Sequence, residues 1–217
     1  MGRYKIIKSG TGVDKTKNTD NITLHNNTLD ILFKHREEVQ NRLIDMRGTF
    51  LIDHIAIKII NPNNEIVIFS MTPSVEYNLI VQGLWKHDNG FSRNLQNLNK
   101  LCLWEDAYSK ENFDELKATK EFKHGFTFGF YIPKKHGELN LIYSFATRNK
   151  NDNLIDYYHH NLEEIAALGD YGYKLIHGIY SKYCYPDFYA PSITEKRYNP
   201  VKSLLKLIVN NNYKVKS

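Results

Sequence analysis

The stretch HGFTFGFYIPKKHGELNLIYSFAT, residues 124–147, leaves a chain few ways to fold. Its aromatic and β-branched residues alternate with small or polar ones, the period of extended chain. The spacing predicts a strand over 126–133, a basic turn at KKHGE, and a second strand over 139–146. Phe126, Phe128, Phe130 and Ile132 fall on one face of the first strand, with Thr127, Gly129, Tyr131 and Pro133 on the other. A hairpin this apolar is not stable alone in water and needs further strands or a covering helix.

The remaining sequence supplies both. HIAIKII (54–60) and EIVIFSM (65–71) read as strands flanking the turn NPNN. In the first of them Ile55, Ile57 and Ile59 form one buried face opposite His54, Ala56 and Lys58. Thr28 caps a predicted helix whose stripe is Leu29, Leu32, Phe33, Val39, Leu43 and Met46. Thr72 and Pro73 open a second, running to near Gly83. KHDNGFSRNLQNLNK reads as a loop, LCLWEDAY (101–108) as a short extended piece, and 111–121 as a charged helix. Residues 152–183 keep helical period for eight turns, with Gly169 and Gly172 as close-packing points. A last short basic helix is expected at 201–209. The fold class is α/β, an antiparallel sheet sandwiched between helices with a long C-terminal helix. The expected organisation is a flexible arm (1–27), one domain (28–184) and a C-terminal extension (185–217).

Composition narrows the function. With 217 residues, 41% of them hydrophobic, the chain can bury a sizeable core. Its two cysteines, Cys102 and Cys184, suggest neither a disulfide framework nor a zinc site and fit a cytoplasmic protein. The net charge of +5 is modest, and Lys134, Lys135, Lys196, Arg197, Lys202 and Lys206 are the residues on which nucleic-acid contact would rest. No apolar run predicts a membrane span. His160 and Glu164 have i, i+4 spacing but read as a solvent-facing pair. No nucleophile, phosphate-loop or metalloprotease motif occurs, so neither an enzyme nor a cofactor is expected.

Several of these segments together resemble the PAS-like autoinducer-binding domain of LuxR-type quorum-sensing regulators. The resemblance is carried by Gly125, the run Gly129-Phe130-Tyr131-Ile132-Pro133, GELNLIYSFAT after it, Asp88 in WKHDNGF, Trp104 in LCLWEDAY, and NLIDYYHHNLEEIAALGDYGYKLI. It implies a small amphipathic signal molecule held between sheet and helices. Asp88 would accept a hydrogen bond from the ligand amide and Trp104 would lie beside its ring. Gly129 would open space, and Tyr131 or Thr127 would offer a hydroxyl. Trp85 and Tyr77 complete the candidate set. The sequence also departs from the family pattern. Val75 and Leu79 stand where the family has a Trp-x-x-x-Tyr pair, Asn89 replaces a Pro, and no helix-turn-helix is recognisable.

The residues allow plainer roles too. Asp-Asn-Gly is a turn sequence in which Asp88 would bind its own loop; Gly129 would ease sheet twist, and the tryptophans would fill a core. Three functions follow: a non-enzymatic sensor domain serving transcription regulation; an orphan interaction protein that kept the fold and lost the ligand; or a nucleic-acid binder using the basic C-terminal helix. The long helix offers a route to a homodimer or heterodimer.

Overall fold

Among the described residues six strands form one sheet, with helices on both of its faces. The computed structural model describes residues 21–95 and 100–184; the expected basic helix at 201–209 lies outside them. The strands are β1 (Thr23–Leu24), β2 (His54–Ile60), β3 (Glu65–Ser70), β4 (Cys102–Leu103), β5 (Phe128–His136) and β6 (Leu139–Thr147). Their order is β1-β3-β2-β6-β5-β4. β1 joins β3 in parallel and every other pairing is antiparallel. β1 lies within the stretch read from sequence as an arm.

The β5–β6 hairpin is in register from Phe128↔Thr147 to His136↔Leu139. Its turn is tighter than KKHGE, because Lys134, Lys135 and His136 stay in the strand and Gly137 takes the left-handed conformation, at φ 58°. Phe130 and Ile132 enter the core on one face, as the alternation predicts. Phe126 departs from that set. It precedes the strand, beyond the left-handed turn at Gly125, and packs into the cluster on the opposite face.

On the first face Ile55, Ile57, Ile59, Phe69, Phe130, Tyr143 and Phe145 meet α2 (Arg36–Leu43), α6 (Leu154–His160) and α7 (Leu162–Cys184). Each such aliphatic side chain contributes about 1.5–3 kcal/mol on burial. α7 buries Ile165, Leu168, Gly169, Gly172, Ile176 and Ile179 in one stripe. A Cβ on Gly169 would lie 2.2 Å from the Tyr143 ring, and one on Gly172 2.9 Å from the Met46 methyl. Both glycines are therefore close-packing points.

The predicted helices break in two places. α7 is separated from α6 at Asn161, whose side chain donates to the Tyr157 carbonyl at 2.7 Å. The first helix divides into α1 (Thr28–Lys34) and α2 at His35, whose ring packs on Tyr183 at 4.2 Å between centroids. After this break Leu32, Val39, Leu43 and Met46 remain buried, whereas Leu29 and Phe33 face solvent.

On the second face lie α3 (Pro73–Val81), the turns of 84–91, α4 (Trp104–Ala107) and α5 (Phe113–Lys120). Thr72 precedes α3 but makes no side-chain cap bond. Their packing overturns the one-faced reading of residues 54–60: His54, Ala56 and Lys58 are as buried as the isoleucines. A sheet covered on both sides buries both alternating sets.

Candidate functional site

Asp88 follows a 3₁₀ turn at Leu84–His87 and begins another at Asn89–Phe91. Its Oδ1 accepts from the Gly90 amide at 2.8 Å, the bond expected of an Asp-Asn-Gly turn. An isolated β-bridge to Tyr108 and a 2.8 Å bond from the Ser109 amide to the His87 carbonyl hold this loop against the segment following α4. The other carboxylate oxygen points into the second-face core, where Asp88 is only 2% exposed.

That oxygen, Oδ2, has two donors from the chain itself. Lys120 Nζ, at the end of α5, lies 2.8 Å away and the Tyr131 hydroxyl 2.6 Å away. Lys120 Nζ also sits 4.1 Å from the centre of the Trp104 ring. Lys58 reaches in from β2, donating to the Gly90 carbonyl at 2.9 Å with its ammonium 3.5 Å from the centre of Phe91. Trp104 donates from its indole to Ser144 Oγ at 3.2 Å, and Tyr108 donates to Glu121 at 3.0 Å. The Asp88, Lys120, Lys58 and Glu121 charges are thus paired, hydrogen-bonded or set against aromatic faces, as burial requires.

Glycines let these side chains fit. A Cβ on Gly129 would lie 2.2 Å from the Trp104 ring, and a Cβ on Gly90 2.1 Å from Tyr131. The space over Gly129 is taken up by the indole. Among the described residues, clefts of about 400, 350, 390 and 420 Å³ lie elsewhere, and neither Asp88, Trp104, Gly129 nor Tyr131 lines any of these.

Burial tends to raise the Asp88 carboxyl, but the charges of Lys120 and Lys58, with the bonds from Lys120 and Tyr131, outweigh it and hold the group below its ordinary range. Burial lowers Lys58 to about 7, opposed by Asp88 and assisted by repulsion from Lys120. It lowers Lys120 as well, against the attraction of Asp88. Burial, and then the Asp88 charge, push Tyr131 well above its usual value. The linkage has a definite sign. From about 7 to 10.5 the unfolded chain keeps a proton on Lys58 that the folded chain has lost, so Lys58 makes stability rise with pH across that window. Urea midpoints measured from pH 7 upward should therefore increase more in the wild type than in Lys58→Met, whose curve lacks this contribution.

The candidate residues separate into two groups. Asp88, Trp104, Gly129 and Tyr131 come together on the second face, and Trp85 packs at their margin against Phe91, at 6.3 Å between centroids. Thr127 lies apart, bonded through its hydroxyl to the carbonyls of Thr147 and Asn149 and lining a surface cleft. Tyr77 is also apart, edge-on to Phe33 on the outer side of α3 and lining another. Val75 and Leu79 are buried in the second-face cluster.

Sequence reasoning missed Lys58 and Lys120. Lys58 stood in the set assigned to the open face of its strand, and Lys120 in a helix read as charged. It also missed Glu76, buried on α3 with Oε1 3.6 Å from His54 Nε2. Among the described residues no group of three or more His, Cys, Asp or Glu side chains is placed to hold a metal ion, and no helix is long and apolar enough to cross a membrane.

No protein-family model matches the sequence, and no curated protein matches it. Solved structures do match. Escherichia coli SdiA superposes with a TM-score of 0.52 at 12% identity, over 81% of this chain and 72% of SdiA. SdiA in complex with octanoyl-rac-glycerol gives 0.48 at 10% identity, over 85% and 76% of the two chains. CepR2 from Burkholderia cenocepacia, described as an N-acylhomoserine lactone-dependent LuxR family transcription factor, gives 0.48 at 12% identity, over 70% and 96%. The strand order, the helices on both faces and the long α7 together make this the PAS-like α/β fold of LuxR-type autoinducer-binding domains.

Proposed function

We propose that the chain is an interaction protein that keeps the sensor fold and fills the signal site with its own side chains. The observation that carries this reading is Lys120 Nζ at 2.8 Å from Asp88 Oδ2. In the resemblance to LuxR-type domains, Asp88 is the acceptor for a ligand amide; here Lys120 and Tyr131 already donate to it. Trp104 fills the space over Gly129, and Val75 and Leu79 add apolar packing where the family pattern has a Trp and a Tyr. A domain stabilised this way needs no small molecule to complete its core, and its output is contact with another protein, including a regulator of the same fold. The free Cys102 and Cys184 suit action in a reducing compartment such as the cytoplasm.

The outward positions of α7, among them Glu163, Glu164, Ala167, Lys174 and Lys182, are small or polar, while its apolar stripe is spent on the sheet. Pairing through this helix would therefore be polar. The functional test is thermal unfolding with saturating N-octanoyl homoserine lactone or octanoylglycerol. A ligand at a hundred times its Kd adds about 2.7 kcal/mol, so a bound signal would raise Tm by several degrees. The reading expects no shift; a saturable rise with either compound would restore the sensor function.

A further inference from the structure

A cleft of about 350 Å³ lies at the end of the sheet where β2 begins and β6 ends, and Asn41, Arg47, Asp53, Thr72 and Arg148 are among the residues that line it. It is separate from the filled signal site and does not depend on it. Four segments meet here: α2, the turn before β2, the link from β3 to α3, and the chain leaving β6. The turn is costly backbone. Gly48, Phe50 and Leu51 all have positive φ, at 84°, 53° and 61°, a region that residues with a Cβ rarely adopt. The Gly48 amide closes the turn by donating to the Ile52 carbonyl at 2.7 Å, which brings Arg47 and Asp53 to one cleft. Strained backbone of this kind clusters at binding sites.

Arg148 is fixed in place. Its Nε donates to the His124 carbonyl at 3.1 Å, its guanidinium carbon lies 4.7 Å from the centre of the Phe126 ring, and Nη1 is 3.9 Å from Asp53 Oδ1. The other Asp53 oxygen accepts from the Arg148 amide at 2.7 Å. Among the described residues the side chains of Asn41, Arg47 and Thr72 have no hydrogen-bond or ion-pair partner. The lining therefore sets two guanidinium groups against one carboxylate. Surrounding charges balance: Lys123 and Lys150 stand against Asp45 and Asp152, Arg42 is paired with Glu38, Glu76 faces His54, and Arg36 and Glu37 both line the adjoining groove.

We propose that this cleft is an oxyanion site for a phosphate monoester, held by Arg47 and Arg148 with Asn41 and Thr72 completing the donor set. A guanidinium presents a planar fork of N–H donors that matches phosphate oxygens. A tetrahedral phosphate accepts from several directions, as donors on four separate segments require, whereas a carboxylate accepts close to one plane. Its charge of about −1.5 to −2 at pH 7 lets it compete with Asp53 for Arg148. The cleft also leaves room beyond the phosphate for the group that carries it.

Nuclear magnetic resonance titration of the full chain with inorganic phosphate, at an ionic strength held constant with sodium chloride, tests the proposal. The expected result is saturable shifts of the Arg47, Thr72 and Arg148 amides. The affinity should fall at least about tenfold in Arg47→Gln, the effect of losing a charge-assisted bond, and stay unchanged in Lys174→Gln on the outer side of α7. Asp53→Asn keeps an acceptor for the Arg148 amide and should tighten binding. Amides away from the cleft report that each variant is folded. A second probe, phosphoserine blocked at both termini, separates the sources: tighter binding than inorganic phosphate identifies a phosphorylated side chain, and weaker binding a free phosphate compound. Shifts that do not saturate, or an Arg47→Gln variant that binds phosphate as the wild type does, would overturn the proposal.

Discussion

Lys120→Met is expected to destabilise the protein by about 3–5 kcal/mol, the cost of leaving a buried partner charge unpaired. The ammonium lost is the one 2.8 Å from Asp88 Oδ2, and both residues are only 2% exposed. Methionine fills much of the same volume, so little of the loss is cavity. For a chain of this length each kcal/mol lowers Tm by about 2–4 °C, which puts the expected drop on the order of 10 °C. The double variant Asp88→Asn with Lys120→Met should recover at least half of that loss. Asparagine can still accept from Gly90 and Tyr131 but carries no charge to compensate. Urea titration of the two single variants and the double variant measures the coupling. If Lys120→Met alone costs less than about 1 kcal/mol, the value of an exposed pair, the buried ion pair does not support this core.

Trp104→Ala is the second large effect, also about 3–5 kcal/mol, the usual cost of emptying a large aromatic site in a core. The indole lies over Gly129, approaches Phe126 and Tyr131 at 6.1 Å between centroids, and underlies the Lys120 ammonium. Its partner variant is Gly129→Ala. In the wild type the new methyl would overlap the indole and should cost about 1–3 kcal/mol. In a Trp104→Ala background the same methyl meets no ring, and its cost should fall toward zero. Non-additivity of this sign identifies the indole as the group filling the space; additive costs would mean that Trp104 does not occupy it.

The strands were legible because their alternation is unbroken: β2, β3, β5 and β6 are found close to where period-two patterning puts them. Helix interruptions were harder to see. No Pro or Gly marks either break; at them His35 makes a ring contact with Tyr183 and Asn161 a side-chain bond to the Tyr157 carbonyl. The site was half legible. Asp88, Trp104, Gly129 and Tyr131 could be grouped because they carry the family resemblance. Lys58 and Lys120 could not, since a lysine on a strand or at a helix end ordinarily faces water. The expected sandwich covers both faces of the sheet, but which side chains its second helical layer buries is decided by tertiary packing.

The most direct test of a self-filled site is native mass spectrometry of the purified protein, compared with its mass after denaturation. A site occupied by Lys120, Tyr131 and Trp104 predicts the same chain mass in both states, before and after soaking with acyl lactones and lipid extract. A mass excess that disappears on denaturation would show a bound small molecule and contradict the account.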